Sequence, residues 1–592
     1  MKKLISFLLL ALVTASLAVT INITPQTTST YNNNLFTPAP GDTVLLAPGL
    51  YSAATGSILG CKYSRAGGTA NQRIYIRAAQ KGTVTIVPSS GSGEWWHLTH
   101  PYFTFENLVI DQSLCIHSFQ ITNGAAYTIV RNCHFYNLNE TPCKVSLSPT
   151  IAGNANFLVF ENNESERMAG PFNGNNMNGC NIDGSDYHVI RNCYFHDISY
   201  KDTATFWNYN GAYGGFIKGG ARYCIIENNI SKNINGYGLS LGGGTMYLPY
   251  MVPDRKPVET FGCILRNNVI VGNADRKGSN HAITVNYGND NLVYNNTIIN
   301  SSPMAVLGNW RSRTNADLMG NDQPDTGVVA CGVGNVLMNN LSVNIWNMDS
   351  LWYEISGGAF ASYEATLVQG IQFIKAFSRE PMMYFRDIQW AGFNTVVNNL
   401  RLDNVNANDI FVDTANNDYR LKKNAITSRG VAVTAANADV QKLGQTFGLN
   451  HLDSIVAKGY LDNPVDAGGT ARGSTPTFGA YEESDISRVE NSGTLRAMIR
   501  PIEASVSPNP GGANGVNIEY DVDKDLDHLE LTIWDVNGRM VFGVFHGEIS
   551  KGHHVNHWNG NGNDGSRLPA GPYFLRFRHK TIQFSKTIYL IR

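Results

Sequence analysis

Ile190-Arg191-Asn192-Cys193-Tyr194-Phe195 repeats, in almost the same words, Val130-Arg131-Asn132-Cys133-His134-Phe135, and both are copies of one phrase that runs through much of the chain. The other copies are FENLVI at Asn107, FENNES at Asn162, IENNIS at Asn228, LRNNVI at Asn267, VYNNTI at Asn295, LMNNLS at Asn339 and VVNNLR at Asn398. Each copy has an apolar residue, a charged or polar one, Asn, a variable residue, then alternating apolar positions. A short strand entering and leaving a tight turn reads this way, because Asn tolerates left-handed backbone angles and bonds its own backbone. Self-similarity at about one coil length is the mark of a solenoid. Stacking the copies places Asn over Asn and buries a continuous column of Ile, Val, Phe and Leu. The fold expected is all-β: a right-handed parallel β-helix, followed by a small C-terminal β-sandwich.

The chain has 592 residues, a formal net charge of −2, 43% hydrophobic residues, 16% charged residues and 58 glycines. Length and apolar content suffice for a large core and more than one domain. Near-neutral charge argues against a nucleic-acid partner, whose binders carry a basic face. Lys2-Lys3, the apolar run from Leu4 to Val13 and Ser16-Leu17-Ala18 read as a secretory signal over residues 1–18. No later run is long and apolar enough for a membrane span. An exported, soluble monomer is expected. The nine cysteines are odd in number, and Cys133 and Cys193 share one slot of the repeat. Buried thiols fit this better than a disulfide framework. No Cys or His spacing typical of zinc occurs.

Along the chain, 19–484 is assigned to the β-helix, with an N-terminal cap and an insertion near 345–393. Residues 485–500 read as a polar linker and 501–592 as the sandwich. In the insertion, Ala365 to Ile374 fits either a helix or a strand. Asp409–Asp413 and Asp418–Leu421 resemble the closing coil of secreted β-helix proteins, and Phe478-Gly479-Ala480-Tyr481-Glu482 resembles their terminal motif. Trp95 and Trp96, adjacent on a strand, are expected to point one inward and one outward.

Gly41-Asp42-Thr43 through Gly49-Leu50-Tyr51, and Gly68-Thr69-Ala70 through Ala78, resemble the amino-terminal part of chondroitinase B, alginate lyases and their pectin lyase-like β-helix relatives. That resemblance implies an extracellular polysaccharide as partner. If the chain is an enzyme, it implies a polysaccharide lyase cleaving uronate chains by β-elimination. Gly214-Gly215-Phe216-Ile217-Lys218-Gly219-Gly220-Ala221-Arg222 is similar to the lysine-bearing strand of that group, so Lys218 is the base implied. Arg222 or Arg255 would neutralise the uronate carboxylate, and His281 is a further base or sugar contact. Trp207, Tyr209, Tyr213, Tyr237 and Tyr247 are candidate sugar platforms in the chemically rich stretch 196–290. The group's acidic Ca2+ ligands are replaced here by Gly214, Gly215 and Phe216, and its next-coil arginine by the run Gly238 to Gly243. Calcium is therefore an open possibility and the metal, if any, unknown. Each candidate also has a bland alternative: Lys218 bonding neighbouring carbonyls, His281 a satisfied turn residue. Asp183, Asp186 and His188 cluster at one turn, but the carboxylate pairs of a hydrolase are not recognisable. The rival from another class is a non-catalytic carbohydrate-binding or surface-adhesion solenoid.

At the other end, Ser507-Pro508-Asn509-Pro510, Asn537-Gly538-Arg539, Leu568-Pro569-Ala570-Gly571 and Lys586-Thr587-Ile588 resemble the sorting domain of the type IX secretion system. This implies export across an outer membrane to the medium or the cell surface, with that machinery as partner.

Overall fold

The computed structural model describes residues 18–25, 38–52, 66–88, 92–122, 124–146, 155–167, 177–198, 212–243, 258–272, 281–312, 328–345, 364–369, 371–375, 393–443, 452–461, 465–484, 502–512, 515–522, 525–535, 539–579 and 582–590. Residues 1–17 of the proposed signal sequence and the linker, together with Arg255, Trp207, Tyr209 and Tyr247, lie outside the described residues.

Each copy of the phrase makes one corner of a coil. Three residues form a strand of a first sheet, an Asn turn follows, and three more form a strand of a second sheet. The chain then turns into a third sheet and returns. Among the described residues the first sheet has 12 strands, from Thr20–Ile23 to Thr395–Val397, and the second has 11, from Gly49–Ser52 to Leu400–Leu402. The third stacks strands from Ser92–Leu98 to Ile371–Lys375. Registers are parallel and unbroken from rung to rung, as in Val130 beside Phe160 and Phe160 beside Ile190. The architecture is a parallel β-helix. Ile371–Lys375, inside the expected insertion, resolves the helix-or-strand question as a further parallel rung of the third sheet, and Glu364–Val368 pairs antiparallel to it.

All three corners use left-handed backbone. Asn107, Asn132, Asn162, Asn192, Asn228, Asn267, Asn295, Asn339 and Asn398 all have φ between 50° and 65°. The buried hydrogen-bonded ladder, however, is one residue further on, at the position that the repeat leaves variable. There Asn268 Oδ1 accepts from the backbone N–H of Asn229, Asn296 from that of Asn268, and Asn340 from that of Asn296, each at 3.0 Å. Their amide groups donate to carbonyls of neighbouring strands, as Asn268 does to Ile226 O at 2.9 Å. The reason is geometric: the left-handed residue throws its own side chain outward and the next one inward. Cys133 and Cys193 fill the same inner slot, each with its N–H donating to the Asn of the next rung and its thiol to a corner carbonyl. No disulfide joins the described cysteines.

Outward slots tell where the helix is covered. In early rungs the first sheet presents Arg77, Glu106, Arg131, Glu161, Arg191, Glu227 and Arg266 in one register column of alternating charge. Later the same slots become Tyr294 and Met338, and those of the second sheet become Val269, Thr297 and Leu341. The segment after Leu402 returns over these rungs. Val440, Leu443, Ile455 and Leu461 pack on the first sheet, and Phe411, Tyr419, Phe478 and Tyr481 on the second. Gly479 N donates to Asn339 O and Ala480 N to Thr297 Oγ1.

Trp95 and Trp96 depart from simple alternation. Both are buried, meeting edge to face with centroids 5.7 Å apart, because each has an aromatic partner available: Phe119 for Trp95 and Phe105 for Trp96. After the helix, strands from Ile502–Gly512 to Ile582–Leu590 form a separate, mainly antiparallel arrangement around Val516, Leu531, Trp558 and Leu575.

Candidate functional site

On the third sheet, residues of one parity point into the core and the others outward. Val145, Ile182, Ile217 and Leu241 are the inward set. The outward set in the same rungs is Lys144, Asn181, Asp183, Phe216, Lys218, Ser240 and Thr284, placed by direct register. Lys218 Nζ lies 3.8 Å from Asp183 Oδ2 and Lys144 Nζ lies 4.0 Å from the same oxygen. Both lysine side chains are 14% exposed, against 4% for Asp183. Burial lowers the Lys144 pKa, against the pull of Asp183. Burial also raises that of Asp183, with both lysines opposing it.

Around this trio are buried polar atoms with no partner among the described residues: both amide atoms of Asn181, Asp183 Oδ1, Thr284 Oγ1 and Asn286 Oδ1. Buried polar groups are nearly always paired, so a run of orphans on one face is a mark of a surface made for something else.

Four of the candidates read from the sequence form one connected group here. Lys218 Nζ is 5.2 Å above the Phe216 ring, Phe216 stacks on Tyr213 at 4.4 Å, Tyr213 on Tyr237 at 4.8 Å, and Tyr237 reaches His281 at 6.0 Å. Their exposure decides what each can do. Tyr213 is 8% exposed and His281 fully buried, while Tyr237 is half-buried and is the ring of the three best placed for a sugar. Burial pushes the His281 pKa down to about 3, and neither ring nitrogen has a partner among the described residues. It is neither the satisfied turn residue nor an exposed base. Arg222 is committed elsewhere: its Nε and Nη2 donate to the two Asp186 oxygens at 3.3 and 3.1 Å. His188 accepts from Leu158 N through Nδ1 in an inner corner column. Asp183 and Asp186 thus serve different cations and do not form a hydrolase pair.

Lys144 escaped the sequence reading because its rung precedes the chemically rich stretch that drew attention. The signal was available in the register: the strand Thr141–Val145 sits directly beside Asn178–Asp183.

The described residues here do not fit calcium, which takes six to eight oxygen ligands with carboxylates prominent. Among the described residues, the carboxylate paired with Lys218 is Asp183, which two lysine side chains already flank, and the neighbouring Glu259 Oε2 accepts from Gly219 N at 3.1 Å. Nor is there room for acids in the glycine run. A Cβ on Gly214 would lie 2.3 Å from Gly238 O, and one on Gly215 3.3 Å from the Phe195 ring.

A family model, the FlgD Ig-like domain, matches residues 505–581. No curated protein matches the sequence. Among solved structures, the chain is similar to the pectate lyase Pel9A, with 15% identity over 79% of this chain and 97% of that one, at a TM-score of 0.41. An alginate lyase from Paenibacillus sp. str. FPU-7 gives 17% identity over 55% and 87%, at 0.31. PorZ, a surface component of the type IX secretion system of Porphyromonas gingivalis, gives 23% over 15% and 11%, at 0.12. The parallel β-helix assigned here rests on the chain's own sheets and register rather than on these likenesses.

Proposed function

We propose that the outward face of the third sheet binds an acidic extracellular polysaccharide and cleaves it by β-elimination. The observation that carries the reading is the pair of amines, Lys144 and Lys218, held about one buried carboxylate among orphaned polar atoms. β-Elimination needs two positive or basic functions at one sugar. One takes the proton on the carbon next to the carboxylate, and the other neutralises that carboxylate so the proton becomes acidic. The electron pair released forms a carbon–carbon double bond as the β carbon–oxygen glycosidic bond breaks, and the departing oxygen is protonated. The proton acceptor must be a neutral amine. Burial disfavours the ammonium form of Lys144, which makes Lys144 the better base and gives Lys218 the carboxylate. This exchanges the role that the resemblance implied for Lys218. A second reading, a non-catalytic binder, is favoured by the engagement of Arg222 with Asp186.

Incubation with alginate, pectate and chondroitin polymers separates the two. A lyase generates the ultraviolet absorbance of unsaturated uronate ends, and Lys144→Met and Lys218→Met each remove it while the fold persists. Binding without absorbance establishes the binder. Neither binding nor absorbance, or cleavage surviving both substitutions, rejects this face as the site.

Residues 1–18 and 501–592 are further read as a secretory signal and a type IX sorting domain, which places the protein outside the cell or on its surface. The order of the C-terminal motifs supports this. In a bacterium possessing that system, deletion of 501–592 should leave the protein in the periplasm, and unimpaired export would reject the assignment.

A further inference from the structure

The second sheet carries a cluster that the polysaccharide reading does not use. On its outward face, register places His134 beside Glu164, and Glu166 beside His196, so three successive rungs contribute two imidazoles and two carboxylates. His134 Nε2 is 2.7 Å from Glu166 Oε1 and 4.0 Å from Glu164 Oε1, and His196 Nε2 is 3.4 Å from Glu164 Oε1 and 3.7 Å from Glu166 Oε2. Ligand atoms of His134, Glu164 and Glu166 all lie within 4.8 Å of one another. The four side chains are only 9–13% exposed.

We propose that His134, Glu164, Glu166 and His196 form a binding site for a divalent transition metal of the zinc class. The set of two nitrogens and two oxygens suits such ions, whereas calcium and magnesium prefer oxygen alone. Four ligands at about 2.0–2.1 Å in tetrahedral array stand roughly 3.4 Å apart. The four His–Glu separations of 2.7 to 4.0 Å bracket that value; His134, Glu164 and Glu166 already hold their ligand atoms within reach of one ion, and His196 Nε2, within 3.7 Å of both carboxylates, is the fourth donor beside them. Asp197 supplies the support that metal-bound histidines usually have: its Oδ2 is 2.8 Å from His196 Nδ1. That hydrogen bond fixes the ring so that Nε2 faces the carboxylates. Tyr194 stacks on His196 with centroids 4.0 Å apart, holding the ring from its face. Parallel stacking explains how such a site arises without any local sequence motif. Each rung adds one or two ligands about thirty residues apart, a spacing that no zinc-finger pattern contains.

The test is calorimetric titration of the full-length, tag-free protein with ZnCl2 at neutral pH, beside equilibrium dialysis. One zinc per chain at micromolar affinity or tighter is expected, together with a rise in the thermal midpoint. His134→Gln with His196→Gln abolishes that binding, and Asp197→Asn weakens it about 10-fold. His528→Gln with His546→Gln, at a histidine pair in the C-terminal region, leaves it unchanged. Should the double variant at His134 and His196 not fold, Glu164→Gln alone gives the same readout. Absence of zinc binding in the wild-type protein, or binding undiminished by these ligand substitutions, overturns the proposal.

Discussion

The Asn corner between the first and second sheets and the outward face of the third sheet are both buried and polar, yet they treat polarity oppositely. At the corner, Asn229, Asn268, Asn296, Asn340 and Asn399 accept and donate in an uninterrupted chain. On the face, Asn181, Thr284 and Asn286 leave amide or hydroxyl atoms without a partner among the described residues. A satisfied buried amide adds a little to stability, whereas an orphaned one subtracts. The corner therefore builds the fold, and the face carries a cost that partners from outside the chain, water or ligand, would relieve.

The largest effect expected follows directly. Asn268→Leu removes the acceptor for Asn229 N and the donor for Ile226 O and breaks the link to Asn296. At about 1–3 kcal/mol for each group orphaned, the loss is on the order of 3 kcal/mol or more. The same change at Asn181 removes atoms that have no partner among the described residues, so its effect on stability should be within about 1 kcal/mol, or favourable, while binding of the proposed polysaccharide weakens. Urea denaturation of both variants measures the contrast. Equal destabilisation would show that the face is no different from the corner.

Next in size is a pH effect from the same face. Burial holds the His281 pKa at about 3 in the folded chain, against an ordinary value of 6.5. Between these values the unfolded chain binds the extra proton, so stability rises with pH there and is lost as pH falls below about 6.5. The slope approaches about 1.4 kcal/mol per pH unit for one proton. His281→Phe should flatten that part of the stability curve. A slope unchanged by the substitution would mean that the imidazole is hydrated and paired in solution.

How much of this was legible beforehand differs between the two regions, for a physical reason. The corner repeats every coil, so its left-handed Asn could be read from Asn107 to Asn398 by self-similarity. The inner ladder was missed because Cys133 and Cys193 alternate with Asn163 and Asn229 in that slot. A thiol and an amide look unrelated in sequence but satisfy the same corner. The face does not repeat. Lys144 and Asp183 meet only because parallel register carries residues from two separate rungs to one carboxylate, and no local pattern encodes that. Lys218 was visible because it stands within a phrase similar to a known strand.

A smaller effect tests a ladder invisible in the repeat phrase. At the corner between the third and first sheets, Tyr102, Tyr127, Phe157, Tyr187 and Tyr223 occupy left-handed positions and stack in series at 4.6 to 5.5 Å. Lys458 Nζ lies 4.6 Å over Tyr187. Tyr187→Gly keeps the backbone conformation and removes two stacking partners, at roughly 0.5–1.5 kcal/mol each beyond the loss of buried area. Tyr187→Phe should be near neutral, and a drop in its thermal midpoint equal to that of the glycine variant would assign the effect to the hydroxyl instead.

The smallest effect belongs to the column that looks strongest on paper. Arg191 holds Glu161 through two contacts, at 2.8 Å from Nε and 2.7 Å from Nη2, within a row of alternating charge from Arg77 to Arg266. Yet its side chain is 42% exposed, and water competes for such pairs while salt screens them. Arg191→Met should cost less than about 1 kcal/mol, and the gap from the wild-type protein should close as NaCl is raised. A larger, salt-insensitive loss would mean that the row acts as a buried network and that charge, as well as the Asn corner, sets the stacking of the rungs.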